Sequence, residues 1–149
     1  MNRFVFTCGD INGIGPEISV KALNKITSSN AKDQFILIIP KNVFKTTSNL
    51  VTPEFEYELI NHRDLLKSSS TQVLVLTTKP VKQKTGKATI ESGKAAYSVL
   101  QKSFGLLKGN YANAVVTAPV SKTALKLAGV KYPGQTEMFA DWCGVKNFV

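Results

Sequence analysis

Five short segments built for strands, separated by stretches with helical spacing, constrain this chain more than any other feature. Arg3–Thr7, Phe35–Ile39, Glu54–Ile60, Gln72–Thr77 and Ala114–Thr117 are apolar or alternating runs too brief for stable helices. Between them, Ile14, Ile18, Ala22, Leu23 and Ile26 recur at helical intervals, as do Ile90, Tyr97, Leu100, Phe104 and Leu107. Strands that are apolar along their length and alternate with helices need cover on both faces. The expected fold is therefore α/β, a mostly parallel sheet with helices on both faces.

Local signals place the boundaries. Pro16 suits the first position of a helix, where its missing N–H costs nothing, and Glu17 lies in the first turn, where the helix dipole favours an acid. Pro40 ends the second strand, and one further helix is expected before the third. Thr78–Ala88 is polar and basic and reads as a loop. A long helix follows from Thr89 and stops near Gly109 and Asn110. Ser121 caps a helix through Lys122–Ala128, with Gly129 as the left-handed stop, and Thr136 is expected to cap a last helix over Glu137–Cys143. Asn147-Phe148-Val149 reads as a strand just beginning, so residues 1–149 read as an incomplete fold with no internal boundary.

Composition excludes several classes. The longest unbroken apolar run, Phe35–Ile39, is far below the roughly 20 residues needed to span a bilayer. Met1–Thr7 lacks the apolar core of a secretory leader, so a cytoplasmic location is expected and Cys8 and Cys143 read as thiols. Of a net charge of +9, residues 76–149 hold all but one unit, which suggests an anionic partner. Lys79, Lys82, Lys84 and Lys87 form a cluster, but no aromatic residues interleave with them to stack bases, so nucleic acid is not expected.

Three loops carry the functional signal, because ligands of open α/β sheets sit beyond the carboxyl ends of the strands. The first, Cys8-Gly9-Asp10-Ile11-Asn12-Gly13-Ile14-Gly15-Pro16-Glu17, allows a tight backbone path into a helix. It contains neither the dinucleotide G-x-G-x-x-G nor a phosphate-loop lysine. The second, Thr117-Ala118-Pro119-Val120-Ser121-Lys122, puts a cation at a helix start, where it opposes the dipole by about 0.3–1 kcal/mol and calls for an anion. The third, Tyr132-Pro133-Gly134-Gln135-Thr136-Glu137, offers an amide and a hydroxyl.

Gly9–Glu17, Thr117–Lys122 and Gly134–Glu137 together resemble the 4-hydroxythreonine-4-phosphate dehydrogenase family of pyridoxal phosphate biosynthesis, in order and at similar spacing. The resemblance covers essentially the whole chain as the N-terminal part of a longer, two-domain protein. It implies a fold like the isocitrate and isopropylmalate dehydrogenases and a homodimer. The implied reaction is NAD- or NADP-dependent oxidation, with decarboxylation, of a phosphorylated hydroxy-amino acid, assisted by a divalent metal.

In the family, a Gly-His-Thr-Glu motif contacts substrate through its His and Thr. Here it falls on Gly134–Glu137, so Thr136 matches and Gln135 stands where the family has histidine. Gln135, Thr136, Lys122, Asp10 and Asn12 are the expected substrate-binding or cleft-supporting residues. Ile11-Asn12 replaces the Pro-Ala of many relatives. The family's metal histidines lie beyond these residues, and His62 matches none of them, so no metal or cofactor is expected to be held by this chain alone, and it is expected to be inactive by itself. A non-catalytic module binding a phosphorylated metabolite is the alternative, with Gln135 marking the loss of chemistry.

Overall fold

The computed structural model describes residues 1–30, 32–61 and 69–147. In chain order the elements are β1 (Arg3–Thr7), α1 (Gly15–Ser29), β2 (Gln34–Pro40), α2 (Lys41–Leu50), β3 (Tyr57–Ile60), β4 (Val73–Thr78), α3 (Ile90–Lys108), β5 (Ala114–Thr117), α4 (Lys122–Leu127) and α5 (Gln135–Cys143). The strands form one sheet in the order β3-β4-β2-β1-β5, and every pairing is parallel. Central β2 is buried at every residue, as a parallel strand covered on both faces should be. Its one amide, Gln34, is fully employed: Oε1 accepts from Arg3, and Nε2 donates to the carbonyls of Ser69 and Thr71.

Handedness places the helices. The crossovers β1-α1-β2 and β2-α2-β3 run one way across the sheet, and β4-α3-β5 runs the other way. Right-handed connections therefore put α1 and α2 on one face and α3 on the opposite one. Consistently, α1 packs beside α2, and α3 beside α4.

Helix α3 has two buried sides. Ala95, Val99 and Leu106 join the core on the sheet, whereas Ala96 and Leu100 join a second core with Leu125 of α4 and Met138 of α5. Around Trp142 of α5 the rings of Tyr97, Phe104, Tyr132 and Phe139 gather at centroid distances of 5.5–6.3 Å. The apolar stripe read from sequence thus points largely at α4 and α5. The sheet-facing side was hidden because Ser92, Ala95 and Ser103 are small or polar, and Ile90, at its end, is 47% exposed.

Other boundaries also differ from expectation. Ile14 is 61% exposed, because the first turn of α1 presses Gly15 and Pro16 inward instead; a Cβ on Gly15 would lie 2.3 Å from the Cys8 carbonyl oxygen. The strand expected from Glu54 begins only at Tyr57: the Glu54 N–H is taken by the Asn24 side chain, and Phe55 turns into the core. Helix α5 starts at Gln135, not Glu137. Gly134 occupies the cap with no side-chain bond, so Thr136 is an exposed first-turn residue and not the cap. Ser121 and Thr89 do cap their helices, the latter in a reciprocal box with Ser92. Gly129 adopts a φ of +79° after α4. The proposed terminal strand at Phe148-Val149 lies outside the described residues.

Two consequences can be measured. A Cβ on Gly93 would sit 2.0 Å from the Ala124 carbonyl oxygen, so α3 and α4 touch only because that position is glycine. Gly93→Ala should lower stability to urea by about 1–3 kcal/mol, whereas Gly105→Ala, with nothing within 4 Å of its Cβ, should raise it by about 0.5–1 kcal/mol. Equal effects at the two positions would show that the helix contact is not close. Burial pushes the Cys8 thiol up to about 12, whereas Cys143 is exposed. Iodoacetamide at mildly alkaline pH should therefore give a single adduct, at Cys143, and prompt labelling of Cys8 would contradict its burial.

Candidate functional site

β1 and β5 are neighbours, with Thr7 paired to Thr117 at their carboxyl ends, yet the chain leaves β1 for a helix on one face and enters β5 from a helix on the other. Loops that part in this way open a crevice, the usual ligand position in a sheet of this kind. The two loops are tied at their base. Ala118 N–H donates to Thr7 Oγ1 at 3.2 Å, and Asp10 N–H donates to the Pro119 carbonyl at 2.9 Å. Gly9, at a φ of +65°, makes this approach possible, since a Cβ there would be 2.3 Å from the Pro119 oxygen. A shallow groove of about 200 Å³ runs beside the junction, lined by Thr7, Ser19 and Val116–Pro119 among others.

The third loop joins at the same point. Gln135 Nε2 donates to the Ala118 carbonyl at 3.1 Å, while its Oε1 is buried with no partner among the described residues. Gly134 lies near Lys122, whose Cε would be 3.8 Å from a Cβ at that position, and near Glu137. Lys122 and Thr136 are exposed, and neither engages another group among the described residues. The structure thus brings Asp10, Lys122, Gln135 and Thr136 onto three contiguous loops.

Asp10 is half-buried. Its Oδ1 accepts the Asn12 N–H and its carbonyl accepts the Gly13 N–H, an Asx turn that holds the glycine loop in shape. Asn12 faces elsewhere. It is 2% exposed; its Nδ2 donates to the Lys87 carbonyl at 2.8 Å, its Oδ1 accepts the Lys84 N–H at 2.8 Å, and its own carbonyl accepts the Gly86 N–H at 2.7 Å. Gln83 Nε2 adds a bond to the Ile11 carbonyl. The lysine-bearing segment after β4 is thereby fastened to the first loop as a fourth member of the group. Sequence reading noted Asn12 and the lysines separately and missed this junction. The signal available was an Asn in place of Ala in the turn, opposite a Gln83-Lys84-Thr85-Gly86 loop able to offer it backbone groups.

Charge around the site is of both signs: Asp10 and Glu137 lie on the loops with Lys122, and Glu91 lies near Lys84 and Lys82. The Glu91 carboxyl, at the start of α3, is held below its usual range chiefly by its own backbone N–H, with the Thr89 side chain, Lys84 and Lys82 adding to it. Cys8, behind the first loop, stays a protonated thiol and offers no nucleophile at neutral pH. Among the described residues no three His, Cys, Asp or Glu side chains come together to hold a metal ion, and His62 lies outside them. The described residues therefore do not fit the metal that the motif resemblance implies.

Residues 31–149 match the family model described as pyridoxal phosphate biosynthetic protein PdxA. A 4-hydroxythreonine-4-phosphate dehydrogenase of Nostoc sp. is 32% identical over 98% of this chain and 40% of its own length. A D-threonate 4-phosphate dehydrogenase of Salmonella typhimurium is 31% identical over 90% of the chain and 42% of its own. Among solved structures, a 4-hydroxythreonine-4-phosphate dehydrogenase from Burkholderia phymatum superposes with a TM-score of 0.83 at 27% identity, over 99% of this chain and 45% of that one. The chain spans less than half the length of these relatives, and its fold superposes on the corresponding part of the Burkholderia structure. With the family model covering most of its residues, the chain belongs to the pyridoxal phosphate biosynthetic protein PdxA family.

Proposed function

We propose that this chain supplies the substrate-holding half of an NAD- or NADP-dependent dehydrogenase acting on a phosphorylated hydroxy-amino acid, or a closely similar hydroxy-acid phosphate, in pyridoxal phosphate biosynthesis. One observation carries the reading: three loops meet through the Ala118 and Pro119 carbonyls and leave Lys122, Thr136 and the Gln135 carbonyl oxygen without partners among the described residues. The two kinds of relative named above act, by their names, on four-carbon hydroxy acids carrying a phosphate. An ammonium, a hydroxyl and an amide suit such a molecule.

Each residue has a task within that reading. Lys122 meets an anionic group as a compact point charge, and the Thr136 hydroxyl donates to or accepts from the polar backbone of the substrate. Gln135 contributes an acceptor. Asp10 shapes the first loop, and Asn12 holds the lysine segment beside it. Hydride transfer and metal-assisted decarboxylation draw on groups that the described residues do not supply, so the chain alone binds but does not turn over. The full protein is a cytoplasmic homodimer in this reading. The neutral Gln135, where the family motif has histidine, favours one alternative, a binding module for a phosphorylated metabolite without chemistry.

Calorimetric titration with 4-phosphohydroxy-L-threonine tests the site. Removing a charged hydrogen-bond partner costs about 1.5–3 kcal/mol, so Lys122→Ala should weaken binding by roughly tenfold to a hundredfold, and Thr136→Ala by about tenfold or less. Absence of binding by the unaltered chain defeats the reading, and NAD(P)H formation by the chain alone defeats the claim that it is inactive. In a longer protein containing the chain, substrate-dependent NAD(P)H formation excludes the non-catalytic alternative.

Asn12 gives a separate expectation. Asn12→Ala strands the Lys84 N–H and the Lys87 carbonyl, costing about 1–3 kcal/mol locally, and hydrogen exchange should speed up across residues 82–89 before the sheet is affected. Unchanged protection there would show that other contacts fix the loop.

A further inference from the structure

A second cleft, of about 560 Å³, opens at the carboxyl end of β4, between Leu76–Lys79 and the Glu91–Lys102 stretch of α3. On the α3 side its wall is a single stripe: Glu91, Lys94, Ala95, Ser98 and Lys102 recur at helical spacing. Leu76, Val81 and Ala95 make an apolar floor. Lys79, Lys94 and Lys102 stand on the rim with the hydroxyls of Thr78 and Ser98.

None of these three lysines has a carboxylate partner or a hydrogen bond among the described residues, and the same holds for the Thr78 and Ser98 hydroxyls. Glu91 is the one acid of the lining, and its charge is engaged by its own backbone N–H at the helix start and by the neighbouring Lys84 and Lys82. Three unpaired cations around one cavity repel each other unless an anion enters. Lys94 and Lys102 are eight residues apart, about 12 Å along the axis, a gap that two extended lysine side chains can close on one phosphate group. The volume is that of a small-molecule pocket, and the lining carries no aromatic side chain on which a nucleic-acid base could stack.

We propose that this cleft is a second binding site, independent of the substrate crevice, for a small organic phosphate: Lys79, Lys94 and Lys102 hold the phosphate, and Leu76, Val81 and Ala95 receive its apolar body. Lysine binds phosphate as a point charge, and the apolar floor distinguishes an ester with a hydrophobic group from the free ion.

Amide chemical shifts of this chain during titration with 1-naphthyl phosphate provide the test. Saturable changes are expected at Thr77–Val81 and Glu91–Lys102, with inorganic phosphate and 1-naphthol each binding at least about tenfold more weakly. The exposed double substitution Lys94→Glu/Lys102→Glu should weaken binding by more than about tenfold, Ser98→Phe should block it by filling the cleft, and Lys122→Ala should leave it unchanged. Changes confined to Asp10–Asn12 and Gln135–Glu137 would overturn the proposal in favour of the crevice alone. Equal affinity for 1-naphthol would reduce the cleft to an apolar groove, and tighter binding of a DNA duplex at the same amides would make it a polyanion surface. Either result overturns it too.

Discussion

The arrangement of this molecule depends on one close approach, that of the first loop to the Ala118-Pro119 dipeptide. Proline has no N–H, so the segment leaving β5 is poor in donors and presents two successive carbonyls as acceptors. One takes the Asp10 N–H and the other takes Gln135 Nε2. Ala118 N–H, the donor that remains, is used at once by Thr7. The hub works only while Gly9 lacks a side chain, since any Cβ would meet the Pro119 oxygen and the Ala118 carbonyl carbon within 3.0 Å. Adding a methyl group there would force apart the loops from β1 and β5, and the third loop would lose its anchor with them.

Helix α3 extends that dependence from the sheet to the third loop. Its small face lies on the sheet core, and its large face meets α4 and α5, so the position of Gln135 at the start of α5 is inherited from packing some distance away. Gly93 brings α4 against α3, and Trp142, ringed by aromatic side chains, brings α5. Aromatic pairs at these separations are worth about 0.5–1.5 kcal/mol each beyond their burial, which favours one docked position for α5 over many.

What could be read from sequence follows the range of the interaction. Strands β1, β2 and β5, the Ser121 cap and the Gly129 stop are local matters and were placed within a residue or two. Failures occurred where distant groups decided. Glu54 left its strand because Asn24, thirty residues earlier, takes its N–H. Thr136 lost the cap because α5 begins one residue before it, with Gln135 drawn to Ala118. Asn12 is the clearest case: its partners lie 72 and 75 residues away, and no periodicity or turn preference in one sequence announces them. The three loop motifs were visible in sequence, while the placement of their side chains was set by tertiary contacts.

Gln135 shows how such a contact narrows chemistry. Only its NH₂ end can donate to the Ala118 carbonyl, so the orientation of the amide is fixed by that bond rather than chosen. The oxygen is then an obligatory acceptor, buried and unpaired among the described residues, a state that costs about 1–3 kcal/mol until a donor arrives. An imidazole at this position could exchange donor for acceptor by tautomerisation or become a cation on protonation. The amide can do neither, so its oxygen pairs only with a hydrogen-bond donor and not with a deprotonated carboxylate. Lys122, across Gly134 from the amide, is the fixed positive charge on these loops. Gln135 and Lys122 thus leave one neutral acceptor and one fixed charge on adjoining loops.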